Sequence, residues 1–399
     1  MSVQLLAVEF NHDSTSASAD ALNIRRNATT FVAVPEWQRG VSVNPEDSPA
    51  AYALARVHGN VVTIQAQFRT TTPLLTSVEI RALDADAQPP VGTGCLGIIL
   101  RIIYWLFRAL FGNVLGEPAA RSVTFGAGGL SGLESFTLKH TRLDTAPVGV
   151  YTTRWRWQYR AKKGGWHDFD TSTHRIYLVL DTPAGPWQQA PYNAANTQLP
   201  WTEVLDYACA WARLATTADE AAAKVTAAVY DLGPGTVTYD CPGGGASHYS
   251  AGVFNCTAFL DRLRGGAGNG QYVNCSDCAT FVSSFANAVG CNLVQGQMGY
   301  SFQLNPLLAI GSNVWQTACG WGGFSYHEVA WDSVGVSGNV WDACLQVDGD
   351  ADPTTAPQTP LLPVKLRFGN PGDMMYRERL SPGGNCDAQP GTAQRRSLV

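Results

Sequence analysis

Tyr272-Val-Asn-Cys-Ser-Asp-Cys-Ala-Thr-Phe-Val-Ser-Ser-Phe-Ala-Asn-Ala-Val-Gly290 is the stretch on which the reading of the chain turns. Gly265, Gly266, Gly268 and Gly270 lead into it, and Asn274 stands at the head of a helical pattern. Ala279, Val282, Phe285, Ala286 and Val289 recur three and four residues apart, the mark of one buried helix face. Gly290 is a natural stop. The spacing predicts a helix that begins at Cys275. At a helix N-terminus, unpaired N–H groups and the positive dipole end favour an anion. Thiolate is the reactive form of cysteine, so Cys275 is a candidate nucleophile.

A nucleophilic cysteine needs a base, and the base needs an orienting group. Phe324-Ser-Tyr-His-Glu-Val-Ala-Trp331 reads as a strand carrying His327, and Val340-Trp-Asp-Ala-Cys-Leu-Gln-Val347 as the next, carrying Asp342. Ser333-Val-Gly-Val-Ser-Gly338 between them is turn material. A hairpin centred on Val334 to Val336 would set His327 beside Asp342, which completes a Cys-His-Asp set. Asp277 is placed to cap its own helix, and Asp332 is a weaker competitor for the orienting role. His174 and His248 read as structural or exposed. Cys275 and Cys278 also form a CxxC pair, a pattern found in redox dithiols, but no βαβ pattern surrounds it. A zinc site would need Cys291, Cys319 or His327 as further ligands, and no second CxxC or HxxxH completes one. The expected chemistry requires no metal and no cofactor.

The composition sets the outer bounds. At 399 residues, with 45% apolar and 15% charged side chains, the chain is long enough for two cores and too apolar to be disordered. Forty glycines and 22 prolines imply many turns, hence substantial β structure. The net charge of −5 and the shortness of the basic clusters argue against a nucleic-acid partner. Arg25-Arg26, Lys162-Lys163 and Arg395-Arg396 read as solvated surface or tail. Of ten cysteines, five fall between Cys256 and Cys319. The start of the chain has no basic, apolar signal pattern. The expectation is therefore a cytoplasmic protein with most cysteines reduced and buried, with export by a signal-less route left open.

Val3 to Phe10, Thr30 to Val34, Val61 to Phe68, Ser77 to Leu83, Ser122 to Phe125, Phe136 to His140, Tyr151 to Arg160 and Arg175 to Leu180 read as strands. This pattern suggests an immunoglobulin-like β-sandwich over residues 1–182. Within it, residues 94–112 are strongly apolar. Arg101 and Arg108, two helical turns apart, flank Trp105. Two central arginines cost about 2.5–3.5 kcal/mol each on an insertion scale, which argues against a span. A helix on a membrane surface, a helix docked to a partner protein, or a packed helical insertion fits better. Residues 183–199 read as linker. Trp201 to Leu214, Thr217 to Val229 with a capping box, and Phe254 to Leu263 read as helices. The tail, 371–399, is expected to be loosely ordered.

Asn274-Cys275-x-Asp277-x-Ala279, then His327, Trp341-Asp342 and Asp350-x-Asp352-Pro353, resembles the transglutaminase-like superfamily of papain-like cysteine enzymes, in its bacterial form, over roughly residues 200–355. The resemblance implies an α+β chain: a β-sandwich, then a catalytic domain over 200–370 with a central helix packed on an antiparallel sheet. It makes Cys275 the nucleophile, His327 the base and then acid, and Asp342 the orienting group. The Cys275 backbone N–H would be one oxyanion donor. Some members supply a second from an upstream tryptophan; Tyr239 or Tyr272 stands in that region here. The implied reaction attacks an amide or carboxamide of a protein or peptide, forms a thioester, and passes the acyl group to water or an amine. The alternatives are a papain-like cell-wall endopeptidase, or a membrane- or protein-docking module with a relict triad.

Overall fold

A computed structural model describes residues 3–10, 20–41, 44–72, 76–86, 113–161, 164–187 and 198–399. The apolar segment 94–112, with Arg101, Trp105 and Arg108, lies outside the described residues, as does the Lys162-Lys163 turn. The chain is mixed α/β, rich in strands and poor in helices. It divides into two compact units: residues 1–26, 30–182 and 190–199 in one, and 27–29, 183–189 and 200–399 in the other.

The first unit contains β1 (Val3–Glu9), β2 (Trp37–Gln38), β3 (Ala50–Ala53), the short α1 (Leu54–Val57), β4 (Thr63–Thr70), β5 (Ser77–Asp84), β6 (Glu117–Pro118), β7 (Arg121–Thr124), β8 (Glu134–Lys139), β9 (Gly149–Arg160) and β10 (His167–Val179). They form two five-stranded sheets, in the orders β2-β1-β4-β8-β6 and β3-β10-β9-β5-β7. Alternation drives them: along β4 and β5 every second residue is buried. Leu5, Ile64, Phe68 and Phe136 from one sheet join Ile80, Trp155, Trp157 and Ile176 from the other in a single core. His174 is buried there against Phe10 and Trp155, and burial holds its imidazole down at about 3. Thr30 to Val34 is not a strand. Only Phe31 makes a bridge, and Phe31 and Val34 are exposed, with no layer over them to reward pairing.

The second unit includes Trp187, which falls within the expected linker yet is fully buried and donates its indole N–H to Ser284 O at 2.9 Å. Then come α2 (Thr202–Trp211), α3 (Ala218–Tyr230, capped by the Thr217 hydroxyl), β11 (Thr238–Tyr239), α4 (Cys256–Leu263), β12 (Tyr272–Val273) and α5 (Cys275–Ala288). The strands β13 (Val294–Met298), β14 (Phe302–Gln303), β15 (Leu308–Ala309), β16 (Gly323–Phe324), β17 (His327–Trp331), β18 (Asn339–Trp341), β19 (Leu345–Asp348), β20 (Pro360–Leu361) and β21 (Val364–Arg367) follow, then α6 (Tyr376–Leu380) and β22 (Ala388–Gln394). The main sheet is antiparallel, in the order β21-β18-β17-β13-β22. The tail is therefore not loose. β22 covers the edge of β13, which would otherwise present unpaired backbone groups. Beyond it, Phe254 bonds Ser397 and Val399 through its backbone.

α5 is buried over all 14 residues, not on one face. β13 and β17 pack on it, as do α2 and α3. From α4, Phe259 stacks on Phe281 at 3.7 Å between ring centroids. The helix closes in a Schellman turn: Cys291 N–H reaches Ala286 O at 3.0 Å, Gly290 N–H reaches Asn287 O at 3.1 Å, and Gly290 has φ +95°. No helix among the described residues is long and apolar enough to cross a membrane. Phe281→Ala should lower stability by about 3–5 kcal/mol, read from urea denaturation, because the helix is enclosed and the cavity cannot collapse.

Candidate active site

The start of α5 is fixed by a reciprocal cap. Asn274 Oδ1 accepts Asp277 N–H at 3.0 Å, and the Asp277 carboxylate accepts Asn274 N–H at 3.2 Å. The Asp277 carboxylate also takes the hydroxyls of Ser247 (2.7 Å) and Ser250 (2.8 Å) and the N–H groups of His248 and Tyr249 (both 2.9 Å). This carboxylate ties the loop 241–250 to the helix start, where Cys275 is 5% exposed.

β17 and β18 pair as Ala330 with Trp341 and Trp331 with Val340, about the expected turn. His327 opens β17. The stretch expected as one strand, Val340 to Val347, is broken after Trp341. Asp342 sits in the break because its backbone N–H goes to Pro363 O and its Oδ1 takes the Cys344 N–H at 2.7 Å. Its Oδ2 lies 3.0 Å from His327 Nε2 and accepts the Tyr376 hydroxyl at 2.7 Å. His327, Asp342 and Tyr376 are all buried. With Nε2 directed at the carboxylate, Nδ1 is the free nitrogen, and it has no hydrogen-bond partner among the described residues. Burial pushes the imidazole toward its neutral form. The Asp342 charge and hydrogen bond override that, the Cys275 side chain adds to the pull, and the group rises from 6.5 to about 10.

Around these groups stand aromatic rings. Phe324 stacks on His327 at 5.6 Å, and Tyr239 stacks on Phe324 at 6.2 Å. The Tyr239 hydroxyl is held protonated first by burial and then by the neighbouring Cys275. In the strand pairing Tyr239 stands opposite Val273, two residues before Cys275, whereas Tyr272 packs against His248 at 6.2 Å. His248 bonds Asp240 at 3.1 Å and is part of the loop, and Asp332 is an exposed turn residue bonded to Asn339. Neither joins the Cys275 cluster.

Three features were not foreseen. Cys241 and Cys319, 78 residues apart, form a disulfide, an exception to the expectation that most cysteines are reduced. The other described cysteines, Cys275 and Cys278 included, are buried and outside any disulfide. Among the described residues no group of three or more His, Cys, Asp and Glu could hold a metal. Next, Glu328, beside His327, accepts the Ser276 hydroxyl at 2.6 Å and pairs with Arg396 at 2.7 and 3.0 Å. Arg396 was expected in a solvated cluster but is buried, because that carboxylate needs a counter-charge. The third is Tyr376, in the expected loose tail. A signal for the second was present: a glutamate inside an apolar strand implies a buried charge and hence a partner.

No family model matches this chain, and no curated protein matches it. Among solved structures it is weakly similar to a transglutaminase, that of red sea bream, with a TM-score of 0.34 and 12% identity, over 76% of this chain and 50% of that one. The chain thus spans about half the length of that protein.

Two outcomes are expected. Arg396→Met leaves Glu328 buried without a counter-charge and should cost about 3–5 kcal/mol in urea denaturation, while Glu328→Gln with Arg396→Met recovers most of the loss. Since His327 is raised in the fold, its stabilising contribution is full below 6.5 and is lost as pH climbs through about 10. Asp342→Asn should flatten that decline, seen as a difference from the parent protein in denaturation between pH 6 and 11.

Proposed function

We propose that the protein is a cysteine-dependent acyl-transfer enzyme acting on amide or carboxamide groups of a protein or peptide. Its first unit is read as an immunoglobulin-like sandwich and its second as a transglutaminase-like core. One observation carries the reading: a buried His327–Asp342 pair at 3.0 Å, whose second ring nitrogen is unpartnered, with Cys275 near the ring at a helix start.

In this reading the Cys275 proton is already held on His327 Nδ1 before substrate is attacked, Asp342 keeps that imidazolium in place, and the thiolate is the attacking form. The sulfur attacks the carbonyl carbon, and the carbonyl π electrons move to oxygen. The Cys275 backbone N–H and the Tyr239 hydroxyl face that oxyanion. When the C–N bond breaks, the imidazolium proton goes to the leaving nitrogen, and a thioester remains. The neutral ring then takes a proton from water or a primary amine, which attacks the thioester and frees the sulfur. The raised His327 suits the acid half of this cycle, since the ring holds its proton until a leaving group needs it.

Iodoacetamide should alkylate Cys275 ahead of the other free cysteines in folded protein, as read by peptide mapping. Ammonia release from a pool of glutamine peptides, or uptake of a fluorescent primary amine, should vanish in Cys275→Ser. It should fall by about 10⁴-fold in Asp342→Asn, by analogy with the serine triad. An alkaline limb of kcat/KM near 10 is expected from His327. An unlabelled Cys275, together with no turnover of either kind, would remove the proposal.

A further inference from the structure

We infer that the mouth of this site selects an acyl donor whose side chains flanking the attacked carbonyl are uncharged, and that Trp321 is a specificity residue for an apolar or aromatic one. The inference rests on the proposed function and names the substrate class of the same site.

Charge is missing where a substrate would enter. From Cys278 through His327, and from Cys241 through Leu260, the chain carries no Asp, Glu, Lys or Arg. These two stretches supply the loop 241–250 and the residues leading into β17. The formal charges closest in sequence to the cluster face inward, and each is already bonded. Asp240 is held by Gly243 N–H, Ala246 N–H and His248. Asp277 is held by the loop, Glu328 by Arg396, and Asp342 by His327 and Tyr376. All four are buried. None can answer a charge on a substrate without giving up a partner.

Aromatic surface stands in their place. Trp321 is 40% exposed, and its ring lies 6.0 Å from that of Tyr239, the ring beside Cys275. The Cys241–Cys319 disulfide ties the strand end that carries Tyr239 to the turn that carries Trp321. Gly245 completes the wall: a Cβ there would come within 3.3 Å of the Trp321 ring, and its φ of +77° suits glycine. Tyr326, half-buried, continues the wall through its bond to Ser276 at 3.2 Å. A cavity of about 50 Å³ adjoins the disulfide, lined by Tyr239, Cys241, Val314, Gln316 and Cys319 among other uncharged residues. A charged side chain placed against these surfaces loses water and finds no counter-ion, whereas an apolar one gains by burial.

The test uses peptidyl chloromethyl ketones that carry Phe, Leu, Gly, Lys or Glu next to the reactive ketone, with iodoacetamide as the reagent that has no flanking side chain. The rate constant for Cys275 alkylation in the full chain is read by mass spectrometry. The Phe and Leu probes should react at least about tenfold faster than the Lys and Glu probes, the scale of an apolar pocket's discrimination. Rates should change by less than about twofold between low and high salt, because the two stretches that supply the mouth carry no charge to steer the probe. Trp321→Ala should cut the Phe-to-Gly ratio by about tenfold or more. Equal or faster reaction of the Lys or Glu probes, or a steep fall of their rates with salt, would overturn the specificity and leave the reactive cysteine standing. If iodoacetamide also spares Cys275, the proposed function fails and this inference falls with it.

Discussion

The Asp277 carboxylate is sealed from water and accepts hydrogen bonds from two hydroxyls and three backbone N–H groups. No cation offsets it among these partners, so its charge is dispersed over dipoles alone. A buried carboxylate is tolerated on those terms only if every donor stays in place. The donors come from both sides of the chain's turn: the helix cap at Asn274 and the loop 247–250. The bond set is therefore a joint, and it fixes where α5 begins relative to the loop beside it. Cys275 is the first residue past that joint. The position of its sulfur follows from the cap more than from any contact the sulfur makes.

The same rule governs the rest of α5. A helix with every residue buried has no wet face on which to leave a polar group. Thr280 and Ser283 return their hydroxyls to the carbonyls of Ser276 and Ala279, four residues back. Asn287 holds Leu293 through both ends of its amide, at 2.7 and 2.8 Å. Gln295 on β13 reaches Ser283 at 2.6 Å. Hydroxyls and amides thus do the work of orientation that a plain apolar helix could not do. They lock the helix to the sheet in one register, which keeps Ser276 on Glu328 and brings Cys275 toward His327.

Elements with local signals were legible in the sequence. The α5 pattern, the Thr217 cap and the alternation through Tyr151 to Arg160 all rest on neighbours within a few residues. The turn between His327 and Asp342 was legible too, since glycine and serine mark it, and the two side chains it was expected to bring together are hydrogen-bonded. What stayed hidden depends on distant partners. The strand break at Asp342 arises from Pro363, and the order of the tail from β13 and Glu328. Trp187 looked like linker because its acceptor, Ser284, lies 97 residues on. Periodicity predicted one buried face for α5. The full burial of its polar side also needs the sheet and its partners across the chain, which no window on the sequence contains.

The tail reaches the His327–Asp342 pair for a reason of charge. Asp342 spreads one negative charge over the Cys344 N–H, the Tyr376 hydroxyl and the His327 ring. Tyr376, from α6, shares Oδ2 with the imidazole. Without that hydroxyl the carboxylate would be left with the ring and the Cys344 N–H as its hydrogen-bond partners. Glu328 is one residue from His327 along β17, and Arg396 neutralises it from the far end of the chain. The last quarter of the second unit therefore supplies partners for both Asp342 and Glu328, although neither Tyr376 nor Arg396 has a hydrogen bond to the imidazole ring.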